Sequence, residues 1–411
     1  MKKLIQAVLK VMQVVAATAM LSALLPMSPA AANVEANIGT NFDEAALYSP
    51  VVSRDFANAM QVDVDDEGNI YTASTVLQTQ DLTHARNMGV TEALAVGRGV
   101  KHGNNLVVTK VDKDGQLVWV WELRAVSGNK QFGWWDDIAV APDGTVHVVG
   151  YYKGFGHAWH HKAGDTPRPS INEDGTLIDG DYIMDYTPTQ SLGQWVTINA
   201  DGTTRHIKGL KSKTSSYFES VDVDSNGDVL IAGRNHGQTW MDMNDHTGAT
   251  VNSDETTPYI GKYEANGDLI WSRRLNKCGD YKHSSAWDAK FASDGRIAIV
   301  GAYSGTPTWS CAQDGGKVVG RPGPGAYALG HSFANHLTLG TRSYMASMTS
   351  DGAVEYVREF GSVTQRSSAQ QIVEHPVTGD LFILGLWENT ITNPDDCGDG
   401  TPTDDRWFFA P

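Results

Sequence analysis

The sequence predicts an all-β protein: a five-bladed β-propeller of four-stranded antiparallel blades. Three observations carry this. A hairpin pattern recurs five times, a second hairpin separates successive copies, and few windows carry apolar residues at the i, i+3, i+4, i+7 spacing of a helix. The clearest copy is Ser220–Gly233, SVDVDSNGDVLIAG, in which Val221 and Val223 alternate with Asp222 and Asp224 before an Asn226-Gly227 turn and an apolar run. Period-two alternation around a dipeptide that tolerates positive φ is the signature of a tight hairpin. The same frame holds at Glu67-Gly68, Asp143-Gly144, Asp294-Gly295 and Thr378-Gly379. Six residues beyond the turn glycine stands another glycine, Gly150, Gly233, Gly301 or Gly385, replaced by Ser74 in the first copy.

The N-terminus comes first in the chain and is different in kind. Lys2, Lys3 and Lys10 precede an apolar stretch from Val11 to Leu25, followed by Pro26, Pro29 and three alanines. A basic start, a short apolar core and small residues predict a signal peptide over 1–32, cleaved after Ala32. Residues 33–411 then form a single exported propeller domain, either secreted or periplasmic, with no membrane insertion once the signal is removed. Without its three lysines the remaining chain has 29 Lys+Arg against 48 Asp+Glu, a net charge of −19. Such a surface repels nucleic acid and anionic lipid, which excludes both as expected partners.

The second hairpins turn at Gly115, Gly202, Gly267 and Gly352, and four residues beyond each turn stands Trp119, His206, Trp271 or Tyr356. Two hairpins per repeat give four antiparallel strands, and radial repetition of such units protects sheet edges. The turn glycines of the first hairpins are 76, 83, 68 and 84 residues apart, so long inserts separate the two hairpins of a repeat. The fifth copy stops at Arg406–Ala410, where a third strand would begin. Ala46–Ser53 aligns with the fourth strands, so the N-terminal segment is expected to complete the last blade and close the ring.

These hairpins, GNIYTAS, GTVHVVG, GDVLIAG, GRIAIVG and GDLFILG, with partners such as DGQLVW and NGDLIW, resemble the SBBP-type β-propeller repeats of exported bacterial proteins. The resemblance runs from Leu47 to the C-terminus and implies the propeller fold. It implies no activity, because that family shares no catalytic motif.

Hairpin topology gathers the inserts at the strand ends opposite the Asp-Gly turns, and loops on a scaffold commonly carry function. Eight residues past the turn glycines stand Tyr152, Asn235, Tyr303 and Trp387, with Trp159, Trp240 and Trp309 inside the inserts. These are the candidate binding residues: they either ring a surface suited to sugars or an apolar peptide anchor, or pack the inserts down. Asp55, Asp136, Asp137, Glu219 and Asp288 fall at or just before the first strands. Asp137, Glu219 and Asp288 are the candidate catalytic set if the protein is a glycoside hydrolase, which needs an acid and a second carboxylate about 5 to 9.5 Å apart.

No cofactor is expected, and calcium is the alternative the acidic loops offer. Asp395, Asp396 and Asp399, bent by Gly398 and Gly400, offer hard oxygen ligands, whereas Asp222-x-Asp224-x-Asn226-Gly227 opens like a calcium loop but has Gly233 where the closing Glu belongs. His157, His160 and His161 have no zinc-site spacing and are expected in an exposed loop. Of three cysteines, Cys278 and Cys311 are the expected disulfide pair, leaving Cys397. No nucleophile elbow or phosphate-binding loop occurs. The expected function is therefore recognition of a glycan or a protein at the cell exterior, without catalysis.

Overall fold

Alternating apolar and polar residues become strands wherever a positive-φ glycine can reverse the chain. The computed structural model describes residues 60–77, 104–125, 132–153, 155–162, 182–185, 190–240, 242–244, 250–251, 256–274, 281–305, 319–320, 342–360, 367–375 and 377–387. Among them are 23 strands and no helix, so the all-β expectation holds. The expected signal segment, the segments Ala46–Ser53 and Arg406–Ala410 expected to close the ring, all three cysteines, Trp309, and the acidic run with Asp395, Asp396 and Asp399 lie outside the described residues.

In chain order the strands are β1 (Met60–Val64), β2 (Ile70–Leu77), β3 (Asn104–Val111), β4 (Leu117–Ala125), β5 (Phe132–Val140), β6 (Val146–Lys153), β7 (Phe155–Lys162), β8 (Tyr182–Asp185), β9 (Leu192–Ile198) and β10 (Thr204–Leu210). There follow β11 (Ser215–Val223), β12 (Val229–His236), β13 (Thr239–Trp240), β14 (Thr250–Val251), β15 (Thr257–Tyr263), β16 (Leu269–Arg274), β17 (Tyr281–Phe291), β18 (Ile297–Gly305), β19 (Val319–Gly320), β20 (Arg342–Met348), β21 (Val354–Phe360), β22 (Ser367–Glu374) and β23 (Leu381–Trp387). They pair as five successive antiparallel sheets, β1-β2-β3-β4-β7-β8, β5-β6-β9-β10, β11-β12-β15-β16-β19, β17-β18-β20-β21 and β22-β23, plus the small β13-β14 ribbon. Each of the first four contains an inner hairpin followed by an outer one, as the repeat predicts.

The insert after Lys153 departs from expectation. Phe155–Lys162 is a strand on the outer edge of the first sheet, with Trp159 opposite Glu122 and His160 opposite Trp121. The histidine run therefore belongs to a sheet and not to an exposed loop, and Trp159 lies in that strand.

The strands form two compact units, divided within β5 at Trp135 and Asp136. The first holds β1–β4, β7, β8 and the Asp201–Thr204 hairpin tip. Tyr71, Trp119, Trp121 and Trp135 are buried there, and the indole N–H of Trp121 donates to Thr204 Oγ1 at 2.9 Å.

In the second unit, consecutive sheets stack face to face. Val229 and Ile231 of β12 pack with Val149, Trp195 and Phe218, while the alternate residues Leu230 and Ala232 pack with Ala286, Ile299 and Tyr344 of the following sheet. In β18 the same division sends Ile297 and Ile299 one way and Ala298 and Val300 the other, toward Ala369, Ile372 and Ile383. Burial on both faces explains why the second strands of the inner hairpins read as apolar runs at Val229–Ala232 and Ile297–Val300. Each large side chain so enclosed contributes about 1.5 to 3 kcal/mol.

The turns are a residue longer than a two-residue loop. Gly227 N–H donates to Asp224 O at 2.9 Å, Asp224 N–H donates to Asp228 O at 3.0 Å, and Gly227 takes φ of 82°. The last copy extends by one more, Gly379 N–H reaching His375 O. The aromatics of the outer hairpins have a shared role: Trp119 covers Gly202, His206 faces Gly267 and Trp271 covers Gly352, so close that a Cβ at any of these glycines would come within 3 Å of them. The repeated Trp and the repeated turn glycine are two halves of one contact between consecutive outer hairpins.

Candidate functional site

The inner strands of the last three sheets share one irregularity. Register shifts by one residue between Phe218 and Ser220 in β11, between Ala286 and Asp288 in β17, and between Ala369 and Gln371 in β22. The extra residues are Glu219, Trp287 and Gln370. These β-bulges press the preceding backbone onto the neighbouring strand, and the glycine six residues past each turn makes room. A Cβ on Gly233 would lie 2.1 Å from Tyr217 O, on Gly301 2.0 Å from Ser285 O, and on Gly385 2.7 Å from Ser368 O. β1 pairs with β2 from Met60 to Val64 without a shift, and there Ser74 stands in place of glycine.

Side chains of the inner strands tie one sheet to the next. Asp137 accepts from Val221 N–H at 3.1 Å, Ser220 Oγ accepts from Ala289 N–H at 3.2 Å, and Asp288 accepts from Ile372 N–H at 2.7 Å. Ser220 Oγ–H also donates to Asp288 at 2.6 Å. Asp222 repeats the tie two residues on, accepting from Phe291 N–H at 2.8 Å and from Lys290 Nζ at 3.1 Å. Burial pushes the Asp288 carboxyl above the ordinary Asp value, against the pull of Lys290 and the two hydrogen bonds. The carboxylates around Lys290, chiefly Asp222, Asp288 and Asp137, hold its ammonium well above the usual lysine value despite its desolvation.

Two of the candidate catalytic acids, Asp137 and Asp288, are thus backbone-bound members of this ladder. Glu219 is placed differently: its Oε1 lies 3.1 Å from Arg234 Nη2. The calcium-like motif is also occupied by its own chain, since Asp224 Oδ1 accepts from Asn226 N–H at 2.8 Å and Asp228 N–H at 3.0 Å. Among the described residues no cluster of acids, His or Cys is arranged to hold a metal.

The candidate binding residues divide by strand parity. Tyr152, Asn235 and Tyr303 are all buried. Asn235 donates to Thr239 Oγ1 at 3.0 Å and accepts from Thr257 Oγ1 at 3.1 Å, fastening the root of the β13-β14 ribbon. Trp240, within that ribbon, is half-buried with Lys211 Nζ 4.8 Å from its ring centre. Trp387 ends β23 opposite Ser367.

What the structure brings together instead is a group one position away. Arg234, directly opposite Tyr217 in the β11-β12 register, places its guanidinium 4.9 Å from the Tyr217 ring centre and 5.0 Å from that of Trp287. Tyr151 meets Tyr217 edge-on at 4.9 Å. Tyr151, Tyr217, Glu219, Arg234 and Trp287 are all half-buried and lie at the insert-side ends of three consecutive sheets. Desolvation first, then the Asp136 carboxylate, holds the Tyr151 phenol above its ordinary value, with Glu219 adding and Arg234 opposing. The sequence signal for this group is the bulge glycine: it marks the strand whose extra residue is re-aimed.

No protein-family model matches the chain, and no curated protein does. Solved structures of apocarotenoid oxygenases show a weak likeness. A chimera of apocarotenoid oxygenase and RPE65 is 11% identical with a TM-score of 0.36, and a single-residue variant of the Synechocystis apocarotenoid oxygenase is 10% identical with a TM-score of 0.36. The cobalt-substituted Synechocystis enzyme gives 10% and 0.35. The match covers 83% of this chain, and the chain spans about 58% of the length of each of those proteins. The functional reading rests on the residues themselves.

Proposed function

We propose that this protein is an exported five-bladed β-propeller that recognises a glycan or a protein through the insert-side ends of its strands, without catalysing a reaction. In this reading Ala46–Ser53 completes the fifth sheet and closes the ring, and 1–32 is removed on export. The observation that carries the non-catalytic part is the use made of Asp137 and Asp288: each spends its carboxylate on a neighbouring inner strand's amide. An acid tied to backbone on the scaffold's own seam serves packing, and the half-buried aromatics and Arg234 are the chemistry that remains at the surface.

The test is to express the full chain with its leader, measure the mass of the exported product, and assay Asp137→Asn and Asp288→Asn beside the parent on a panel of glycoside substrates. The expected result is cleavage after Ala32, no turnover by any of the three proteins, and reduced stability of both variants. Turnover that disappears in the variants while their stability is unchanged would establish the glycoside-hydrolase reading with Asp137, Glu219 and Asp288 instead.

A further inference from the structure

We propose that Tyr151, Tyr217, Glu219, Arg234 and Trp287 form a subsite for a neutral saccharide; the proposal rests on the recognition reading above and names its ligand class. Two independent features converge here. The first is that both bulge residues of adjacent inner strands, Glu219 of β11 and Trp287 of β17, are delivered to the same guanidinium. Bulges re-aim side chains and are over-represented beside functional sites. The second is that Arg234 Nε and Trp287 Nε1 are enclosed N–H donors with no acceptor among the described residues. An enclosed donor left without a partner costs about 1 to 3 kcal/mol, so a water or ligand oxygen is the expected complement.

The chemistry selects the class. Arg234 is already flanked on its ring-facing sides by Tyr217 and Trp287, so no open aromatic cage is left for a cationic ligand. The Arg234 guanidinium is already paired with the Glu219 carboxylate at 3.1 Å, so it offers no spare positive charge to draw in a phosphate, sulfate or uronate. What fits is an uncharged ligand with C–H faces for the Tyr151 and Tyr217 rings and hydroxyls that both accept from Arg234 and Trp287 and donate to Glu219. A pyranose with adjacent hydroxyls meets all of these requirements.

The experiment uses the full processed chain on an array of neutral, uronate-bearing and sulfated oligosaccharides, followed by calorimetry with the neutral ligands retained. Tyr217→Ala removes a stacking face; Trp287→Phe keeps an aromatic ring, though a smaller one, and deletes the enclosed N–H; Trp240→Ala probes an insert tryptophan outside the subsite. Neutral oligosaccharides are expected to be retained and charged ones not. Affinity is expected to fall by about tenfold in Tyr217→Ala, equivalent to about 1.4 kcal/mol, to fall several-fold in Trp287→Phe with near-UV circular dichroism preserved, and to be unchanged in Val377→Ala, at an exposed turn residue. Preferential retention of the charged glycans overturns the proposal. So does neutral-glycan binding that survives both subsite substitutions; if that binding is lost in Trp240→Ala, the recognition reading stands and only this site falls. Retention of no glycan also overturns it, and leaves a protein partner, sought by cross-linking in cells, as the remaining test of the broader reading.

Discussion

Gly233 lies so close to Tyr217 that a Cβ on the glycine would sit 2.1 Å from the tyrosine's carbonyl oxygen. The contact exists because β11 carries one more residue than β12 can pair, and the surplus presses the backbone inward before Glu219. Gly233→Ala must therefore push the two inner strands apart. The expected loss is about 2 to 3 kcal/mol, read as a lower urea midpoint. Ser74→Gly, at the corresponding position of an unbulged strand, is expected to cost only about 0.5 to 1 kcal/mol through chain entropy. Equal losses at the two positions would show that the glycine is not there for the bulge.

That relationship also shows what the sequence makes legible. The turn glycines and alternating strands announce themselves, because φ near +80° and burial on both faces are local demands. The role of the second glycine is readable only by contrast, from the copy where Ser74 replaces it. The burial of neighbouring residues at the strand ends divides in the same way. Tyr152 and Asn235 point into the core while their predecessors Tyr151 and Arg234 do not, and in a strand a shift of one position exchanges faces. The addition of β7 and β8 to the first sheet's outer edge had no local signature, since pairing across more than 30 residues depends on what edge is available.

The seam between sheets can be tested at Asp288. Asp288→Ala leaves Ser220 Oγ–H and Ile372 N–H without their acceptor in a buried position. The expected loss is about 3 kcal/mol, because a buried donor without its charged partner forfeits its full desolvation cost. Asp288→Asn keeps an acceptor oxygen and should lose about 1 kcal/mol. Chemical denaturation of both separates the cases, and equal effects would argue that charge, not acceptance, matters there.

Trp271 offers a test of the contact between outer hairpins. Its ring is buried over Gly352 and its N–H donates to Ser350 O at 3.1 Å. Trp271→Ala is expected to lose about 3 to 5 kcal/mol, whereas Trp240→Ala, half-buried beneath Lys211, should lose about 1 kcal/mol or less. Thermal melts of the two variants rank them directly. A reversed order would refute the view that the repeated Trp is a structural element and the insert Trp a surface one.

Acid should weaken the second unit through two imidazoles. Trp195 N–H donates to His147 Nδ1 at 3.2 Å, and His206 Nε2 lies 2.8 Å from Thr197 Oγ1. Burial, then the nearby Arg205, depresses the His147 value to about 3; burial, then Lys208, does the same for His206. A histidine held neutral in the fold but free to protonate when unfolded favours the unfolded state as pH falls. Its stabilising effect is full above the unfolded value near 6.5, and it is lost progressively between there and about 3. At pH 5 the loss from His147 alone is about 2 kcal/mol relative to pH 8. His147→Gln cannot protonate, so its denaturation midpoint should change less between pH 8 and pH 5 than that of the parent, even if it starts lower. Carboxylates titrate in both proteins and cancel in the comparison. If parent and variant lose stability in parallel over that window, His147 is protonated within the fold, and the Trp195 hydrogen bond to its Nδ1 does not hold it neutral.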